Sequence, residues 1–361
     1  MKILLATGIY PPDIGGPATY VRNLAEGLVR EGVQVTVVTY AQEPGDRSQG
    51  SGAWDIVHVR KGMPILRWVQ FARALKKHGK DADVVYAFSS VSCGVPLLFA
   101  RLKKPKKVLR LGGDFLWERF TDRGGMLSLR AYYTQHPRLR RFMQRLLKSF
   151  DHLVFSTRFQ QELYKEHYTG LPRNSVIENA LPNAVPEHHQ VHQPLRLLFL
   201  GRLVRFKNLE LLLQAMVRLP LVRLTIVGSG PEGKRLQSLS EELHIESRVF
   251  FVAPTHGQEK TQIFTGHDLL VLPSLTEISP HTALEARAAG LPVLLTQETG
   301  LSEALRSGMV CADLSGVEQI VAAVANVRSS YQAIAQECVA SLEERPWSQV
   351  VHEHVELFSS L

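Results

Sequence analysis

Three cysteines among 361 residues, Cys93, Cys311 and Cys338, are too few and too scattered for a disulfide framework or a cysteine-based zinc site, and they suit a reducing compartment. Long apolar runs are missing too. No stretch approaches the roughly 20 residues that span a bilayer. The opening run from Met1 to Thr7 halts at Gly8 and Pro11-Pro12, short of a signal peptide's apolar core. These absences make the cytoplasm the expected location. Helix-turn-helix signatures and base-stacking aromatic motifs are lacking as well, so a nucleic-acid partner would rest on charge alone and none is expected. Of the 14 histidines only His188, His189 and His192 cluster, without carboxylate or cysteine partners, and no metal site is expected.

What is present is an ordinary globular composition, 45% hydrophobic and 21% charged, which excludes disordered, collagen-like and coiled-coil chains. The length suits two domains with ample core. Formal charge is +8, from 42 Lys and Arg against 34 Asp and Glu. Such an excess fits nucleic acid, a membrane surface or a phosphorylated substrate, and the total does not choose among them.

The hydrophobic period alternates along the chain. Residues 3–7 read as a buried strand, 18–30 as a helix with Tyr20, Val21, Leu24, Leu28 and Val29 on one face, and 33–39 as the next strand, which is a βαβ opening. Further strands are expected at 57–59, 84–88, 107–111 and 152–156. Residues 182–194 combine three prolines with polar residues and no period, the composition of a linker. A second series follows, with strands at 195–200, 223–227, 249–252, 269–272 and 292–296, and helices at 209–217, 233–243, 260–264 and 282–289. A last helix over 349–359, capped by Ser348, follows a break at 344–348. The expected fold class is α/β, two doubly wound Rossmann-like domains over 1–185 and 186–346, with ligands at the carboxyl ends of their strands in a cleft between them.

The densest chemical signal lies at 271–296. Glu277 ends a strand-to-helix loop, and Glu285 follows inside a helix that opens near His281. The backbone N–H groups of 279–282 would then form an anion site at a helix N-terminus, with a carboxylate on either side. Phosphate at the N–H groups and sugar hydroxyls at the carboxylates are the natural complement, although a Glu pair alone is usually an ordinary surface feature. A second signal, Gly201-Arg202-Leu203-Val204-Arg205-Phe206-Lys207-Asn208, follows a strand, where Arg202 and Lys207 could neutralise a diphosphate. Gly228-Ser229-Gly230-Pro231 ends the next strand and is no dinucleotide fingerprint. Gly15-Gly16-Pro17 opens the first helix, where glycines admit close approach of a ligand.

In that order and spacing, these elements make the chain resemble the retaining glycosyltransferases of family 4, whose two-domain fold is called GT-B. The likeness runs nearly end to end: Gly15-Gly16, Asn179 in Val-Ile-Glu-Asn-Ala, Gly201-Arg202-Leu203 with Lys207, the Gly228–Pro231 loop, Glu277 and Glu285 with Gly290-Leu291-Pro292-Val293, and Trp347 before the last helix. In the family that helix crosses back onto the first domain, so 347–361 is expected there.

The resemblance implies a sugar transferase that moves a sugar from a UDP- or GDP-linked donor to a hydroxyl acceptor, with retention and without a metal or other cofactor. It assigns Arg202 and Lys207 to the donor diphosphate, Glu285 to the ribose and Glu277 to the donor sugar. Ser279, Pro280, His281 and Thr282 would meet sugar and phosphate, with Gly15, Gly16 and Gly230 also at the donor. Two departures stand out. Ile278-Ser279-Pro280-His281 replaces the Pro-Phe-Gly found in many members, and the first domain has Asp114 near where the family often has a histidine. Asp114 is the candidate orienter or weak base at the sugar and acceptor, unless it merely caps the helix that follows. A catalytically silent sugar-nucleotide binder of the same fold is the alternative.

The charge is uneven. Residues 1–185 carry 28 Lys and Arg against 15 Asp and Glu, whereas 186–361 carry 14 against 19. Residues 60–148 alone carry 21 against 5, including Lys103-Lys104-Pro105-Lys106-Lys107, Arg138, Arg140, Arg141 and Arg145. In this family the first domain takes the acceptor. The excess therefore suggests an anionic acceptor, such as a lipid-linked glycan precursor, or peripheral attachment to an anionic membrane.

Overall fold

The computed structural model describes residues 1–13, 15–41, 54–136, 140–181, 191–255, 257–340 and 345–361. Seven strands form the first sheet: β1 (Lys2–Ala6), β2 (Gln34–Ala41), β3 (Asp55–Arg60), β4 (Val84–Ala87), β5 (Lys106–Leu111), β6 (His152–Phe155) and β7 (Arg173–Val176). Their order is β3-β2-β1-β4-β5-β6-β7, and every neighbouring pair is parallel. Six strands form the second: β8 (Leu195–Leu200), β9 (Val222–Val227), β10 (Val249–Val252), β11 (Leu269–Leu272), β12 (Val293–Thr296) and β13 (Val310–Ala312). It runs β10-β9-β8-β11-β12-β13, again all parallel. Central strands β4, β6, β11 and β12 are buried along their whole length, which is why their sequences are continuous apolar runs and not alternating ones.

Contacts divide the chain into two compact units. Unit 1 comprises Met1–Leu116, Gln135–Ala180 and Arg345–Leu361; unit 2 comprises Trp117–Thr134 and Leu181–Glu344. Residues 117–134, assigned with the first domain on sequence grounds, thus group with unit 2. Most of the expected linker, 182–190, lies outside the described residues, as do the expected boundary at 185, Arg138 and the start of the break at 344.

Unit 1 is closed by its last helix, Trp347–Ser359. Val350, Val351 and Phe358 pack into one apolar cluster with Tyr20, Val21, Leu24 and Leu28 of the helix Gly16–Arg30. Those helices touch at Gly27, where an added Cβ would lie 2.2 Å from Val351 Cγ2. Trp347 meets Tyr20 edge-on at 5.0 Å, and Arg345 holds the Glu353 carboxylate through both terminal nitrogens at 2.9 and 2.8 Å. The helix opens at Pro346 with no side-chain cap, so Ser348 is not the cap that the sequence suggests. Pro346 fixes the approach instead, and Trp347 starts the helix by docking on Tyr20.

In unit 2, β8, β9, β11 and β12 sandwich between the helix Leu209–Val217 on one side and the helix His281–Ala288 on the other, in one cluster that includes Leu212, Leu213, Met216, Leu270, Leu284 and Leu294. Because the strands are parallel, every loop that leaves a strand's carboxyl end emerges at the same edge. The segments after β8, β9, β11 and β12, residues 201–208, 228–232, 273–280 and 297–300, are therefore neighbours by topology.

Candidate functional site

At that edge of unit 2 the backbone welds the loops together before any side chain acts. Gly201 N donates to Val227 O at 3.0 Å, Leu203 N to Ser229 O at 2.9 Å and Glu232 N to Leu203 O at 3.1 Å. An added Cβ at Gly228, whose φ is +152°, would lie 1.9 Å from Gly201 O, and one at Gly230 would lie 2.3 Å from Leu203 O. Only glycine lets the two chains run this close. Gly230, expected among the donor contacts, is thus first a packing residue turned toward Leu203. Leu275 N donates to Phe206 O at 2.8 Å, which ties the loop after β11 to the residue before Lys207.

Glu277 is fixed twice over. Its N–H donates to Glu298 O at 2.9 Å, and its carbonyl accepts from Gly300 N at 2.8 Å. Its side chain is nearly buried, and Oε1 accepts from both Lys207 Nζ and Ser274 Oγ at 2.5 Å. Oε2 takes no hydrogen bond among the described residues, so one face of the carboxylate stays available for hydroxyls. Lys207 belongs to a short 3₁₀ turn, Arg205–Lys207, which ends where Asn208 adopts a left-handed conformation at φ 56° and the helix Leu209–Val217 begins. Arg202 is exposed and has no ion-pair partner among the described residues. One cation is committed to Glu277 and the other is uncommitted.

Glu285 lies one turn into the helix His281–Ala288, whose N-cap is Pro280. Its Oε2 pairs with Lys260 Nζ at 2.5 Å, and both side chains are about a quarter exposed. Sequence reasoning did not find Lys260, because the pairing links two helices 25 residues apart and leaves no local signal. Pro280 is buried, and Ser279, His281 and Thr282 are half-buried around the helix start. A further support was also missed: Leu129 N, at the start of the helix Leu129–Gln135, donates to Thr276 Oγ1 at 2.9 Å, directly before Glu277. Trp117 packs its ring 5.0 Å from Phe206 beside Lys207. Residues 117–134 are thus a buttress for the pair.

The remaining expected residues lie in unit 1. Gly15 is the N-cap of the helix Gly16–Arg30, at φ +152°, where a Cβ would meet Ile9 Cδ1 at 2.9 Å; Gly16 is its first residue. Asp114, expected to face substrate, is instead 1% exposed and accepts the Tyr164 hydroxyl at 2.8 Å. Its carboxylate anchors a buried phenol, and that contact withdraws it from the surface. Asn179 accepts from Arg110 Nη2 at 3.0 Å, and both are buried. His192 is held by the buried Asp268 carboxylate at 2.8 Å, while His188 and His189 lie outside the described residues. The sequence is expected to offer no Asp-x-Asp cluster for a metal, yet it contains one, Asp81-Ala82-Asp83, before β4 at the amino edge of its sheet, where Asp83 accepts from Lys2 N at 2.8 Å. No group of three metal-ligating side chains occurs among the described residues, and no described helix is long and apolar enough to cross a membrane.

Comparison with known proteins covers both units. Residues 15–180 match the family model described as glycosyl transferase 4-like domain, and residues 183–336 match the one described as glycosyl transferases group 1. The D-inositol 3-phosphate glycosyltransferase of Corynebacterium jeikeium is 28% identical over 340 residues, covering 82% of this chain and 78% of that protein. Among solved structures, sucrose-phosphate synthase from Thermosynechococcus elongatus superposes with a TM-score of 0.84 at 17% identity, covering 99% of this chain and 98% of the other. The Anabaena protein HepE, solved in complex with UDP and glucose, gives 0.75 at 18% identity with full coverage of both chains.

Proposed function

Because the chain belongs to the group 1, family-4-type glycosyl transferases of GT-B fold, which use nucleotide-sugar donors, we propose that unit 2 binds a UDP- or GDP-linked hexose and that unit 1 receives a hydroxyl acceptor bearing a negative charge. The observation that carries this reading is the pairing of Lys207 with Glu277 beside an uncommitted Arg202. Glu277, clamped through Oε1, offers Oε2 to the donor sugar's hydroxyls. Lys207 and Arg202 face the diphosphate, where negative charge accumulates as the glycosidic bond breaks. Preorganised cations at that point lower the barrier because they bind the transition state more tightly than the donor. Ser279, Pro280, His281 and Thr282 extend the phosphate and sugar contacts at the helix start, and Glu285 takes the ribose hydroxyls.

We infer transfer with retention of anomeric configuration, since Glu277 is committed to holding and does not stand free as a nucleophile or base. In this reading Arg202 and Lys207 supply the positive charge that a divalent cation would otherwise bring, so activity persists in chelator. Asp114, buried against Tyr164, is left out of the catalytic set. Support for an anionic acceptor comes from the basic excess of residues 60–148 and from the Corynebacterium relative, named for a phosphorylated inositol.

The test is a screen of UDP- and GDP-sugars by thermal shift and by donor hydrolysis, since a ligand that binds only the native state raises its stability with occupancy. One donor is expected to raise the melting temperature and to be hydrolysed slowly, with the product anomer matching the donor's. Arg202→Ala and Lys207→Ala should abolish hydrolysis, and wild-type rates in both would overturn the assignment.

A further inference from the structure

The helix Pro64–Gly79 of unit 1 has two unlike faces. Phe71, Ala72 and Leu75 are buried, and Phe71 stacks on Tyr40 of β2 at 4.4 Å, which fastens the helix to the sheet. The opposite face is exposed and divided along its length. Its first two turns are apolar, with Ile65 78%, Leu66 51% and Val69 41% exposed, and Met63 just before the helix is 74% exposed. Its last two turns are cationic, with exposed Arg73, Lys76 and Lys77 and, at the C-cap, Lys80. At about 100° per residue, Ile65, Lys76, Val69, Lys80, Arg73, Leu66 and Lys77 fall within an arc of about 120°.

Two features of this face point to one kind of partner. Exposed aliphatic side chains gathered on one arc are unusual on a soluble surface, where apolar residues are normally scattered singly. Arg73, Lys76 and Lys77 have no carboxylate partner among the described residues, so their charge is not neutralised within the protein. The face belongs to the stretch 60–148, which carries 21 basic residues against 5 acidic. A protein partner would have to match an apolar end and a cationic end on one straight helix. An anionic bilayer surface matches both at once, because its acyl boundary and its phosphates lie a few ångströms apart in depth.

We propose that this face is a membrane-docking surface: the helix lies tilted on an anionic bilayer with its first turns deeper, Met63, Ile65, Leu66 and Val69 entering the acyl boundary and Arg73, Lys76, Lys77 and Lys80 meeting lipid phosphates. The proposal does not depend on the donor-site assignment, and its failure would leave that assignment untouched. The full-length protein is to be sedimented with vesicles of phosphatidylcholine mixed with phosphatidylglycerol, and with vesicles of phosphatidylcholine alone. Binding is expected to the anionic vesicles only and to weaken as salt rises. Ile65→Ser with Leu66→Ser should abolish it, and each of Lys76→Gln and Lys77→Gln should weaken it about fivefold. All four positions are exposed, so the variants should keep the wild-type melting temperature and donor hydrolysis. Failure of the wild type to bind anionic vesicles at low salt would overturn the proposal. So would undiminished binding of the double serine variant, or a concentration-dependent dimer that the same variant dissolves without any vesicle binding.

Discussion

Lys207 Nζ stands 2.5 Å from Glu277 Oε1, an oxygen that also takes the Ser274 hydroxyl. Because the side chains of Lys207 and Glu277 are only 16% and 5% exposed, neither charge can be removed cheaply. Removing one partner of such a pair leaves the other charge uncompensated, at a cost of about 3–5 kcal/mol.

Lys207→Met should therefore lower the melting temperature sharply, and Lys207→Met with Glu277→Gln should recover most of it. Hydrolysis should not recover if both groups act on the donor as proposed, and loss of one such stabilising cation is expected to lower turnover about 10²–10³-fold. Melting curves and single-turnover rates on the four proteins check this. Recovery of activity together with stability would show that the pair is only a brace.

The pair between Lys260 and Glu285 behaves differently because it is partly open to water. A partly exposed ion pair contributes little, about 0–1 kcal/mol, while two hydroxyls donated to a carboxylate are worth about 1.5–3 kcal/mol each. Glu285→Ala is thus expected to weaken donor binding tenfold or more, and Lys260→Ala to change it less than about fivefold. Titration calorimetry with the donor found in the screen separates the two. Equal losses would mean that Lys260 itself touches the nucleotide.

Most of the fold was legible because buried parallel strands are short apolar runs, and β8 and β11 fall where their patterns place them. Two of the four edge strands were not. Arg173-Asn174-Ser175-Val176 forms β7 and Val310-Cys311-Ala312 forms β13, each paired on one side only, so neither needs the two-sided burial that writes an apolar run into sequence. Motif spacing placed Lys207 and Glu277 in neighbouring loops, yet it could not show that Lys260 holds Glu285. Nor could it show that Leu129 braces Thr276, or that Tyr164 occupies Asp114. Those contacts join residues 25, 147 and 50 positions apart, and distance along the chain erases the local pattern on which a reading depends.

The glycine loop after β9 offers a test in which its two glycines should differ from one elsewhere in the chain. At Gly228 and Gly230 the atoms a Cβ would strike belong to the backbone of 201–203 and cannot rotate away. Gly228→Ala and Gly230→Ala should each cost about 1–3 kcal/mol or more through overpacking and displace the Arg202 loop. Gly62→Ala, with nothing within 4 Å of its Cβ, should stay within about 0.5 kcal/mol of wild type. Chemical denaturation gives the three values, and a tolerated Gly230→Ala would contradict the close approach described above.

His354 makes unit 1 sensitive to acid. It is fully buried in the last helix, where Nδ1–H donates to Val350 O at 2.6 Å and Nε2 lies 3.2 Å from the Tyr86 hydroxyl, which can donate to it. Burial, reinforced by the nearby Arg110 cation, pushes its pKa from 6.5 down to about 3. The folded protein thus keeps this ring neutral where the unfolded chain protonates it. The group's contribution is fully present above about pH 6.5 and is lost as pH falls, at about 1.4 kcal/mol per unit, until the folded pKa is reached. His152 and His267, also depressed by burial, act in the same direction, so the reading is a difference between proteins. His354→Gln keeps a donor toward Val350 and an acceptor toward Tyr86 but cannot titrate. Between pH 7.5 and 5.5 the wild type should lose about 1.4 kcal/mol more than the variant in denaturant melts. Equal losses would show that protonation of His354 is not coupled to unfolding.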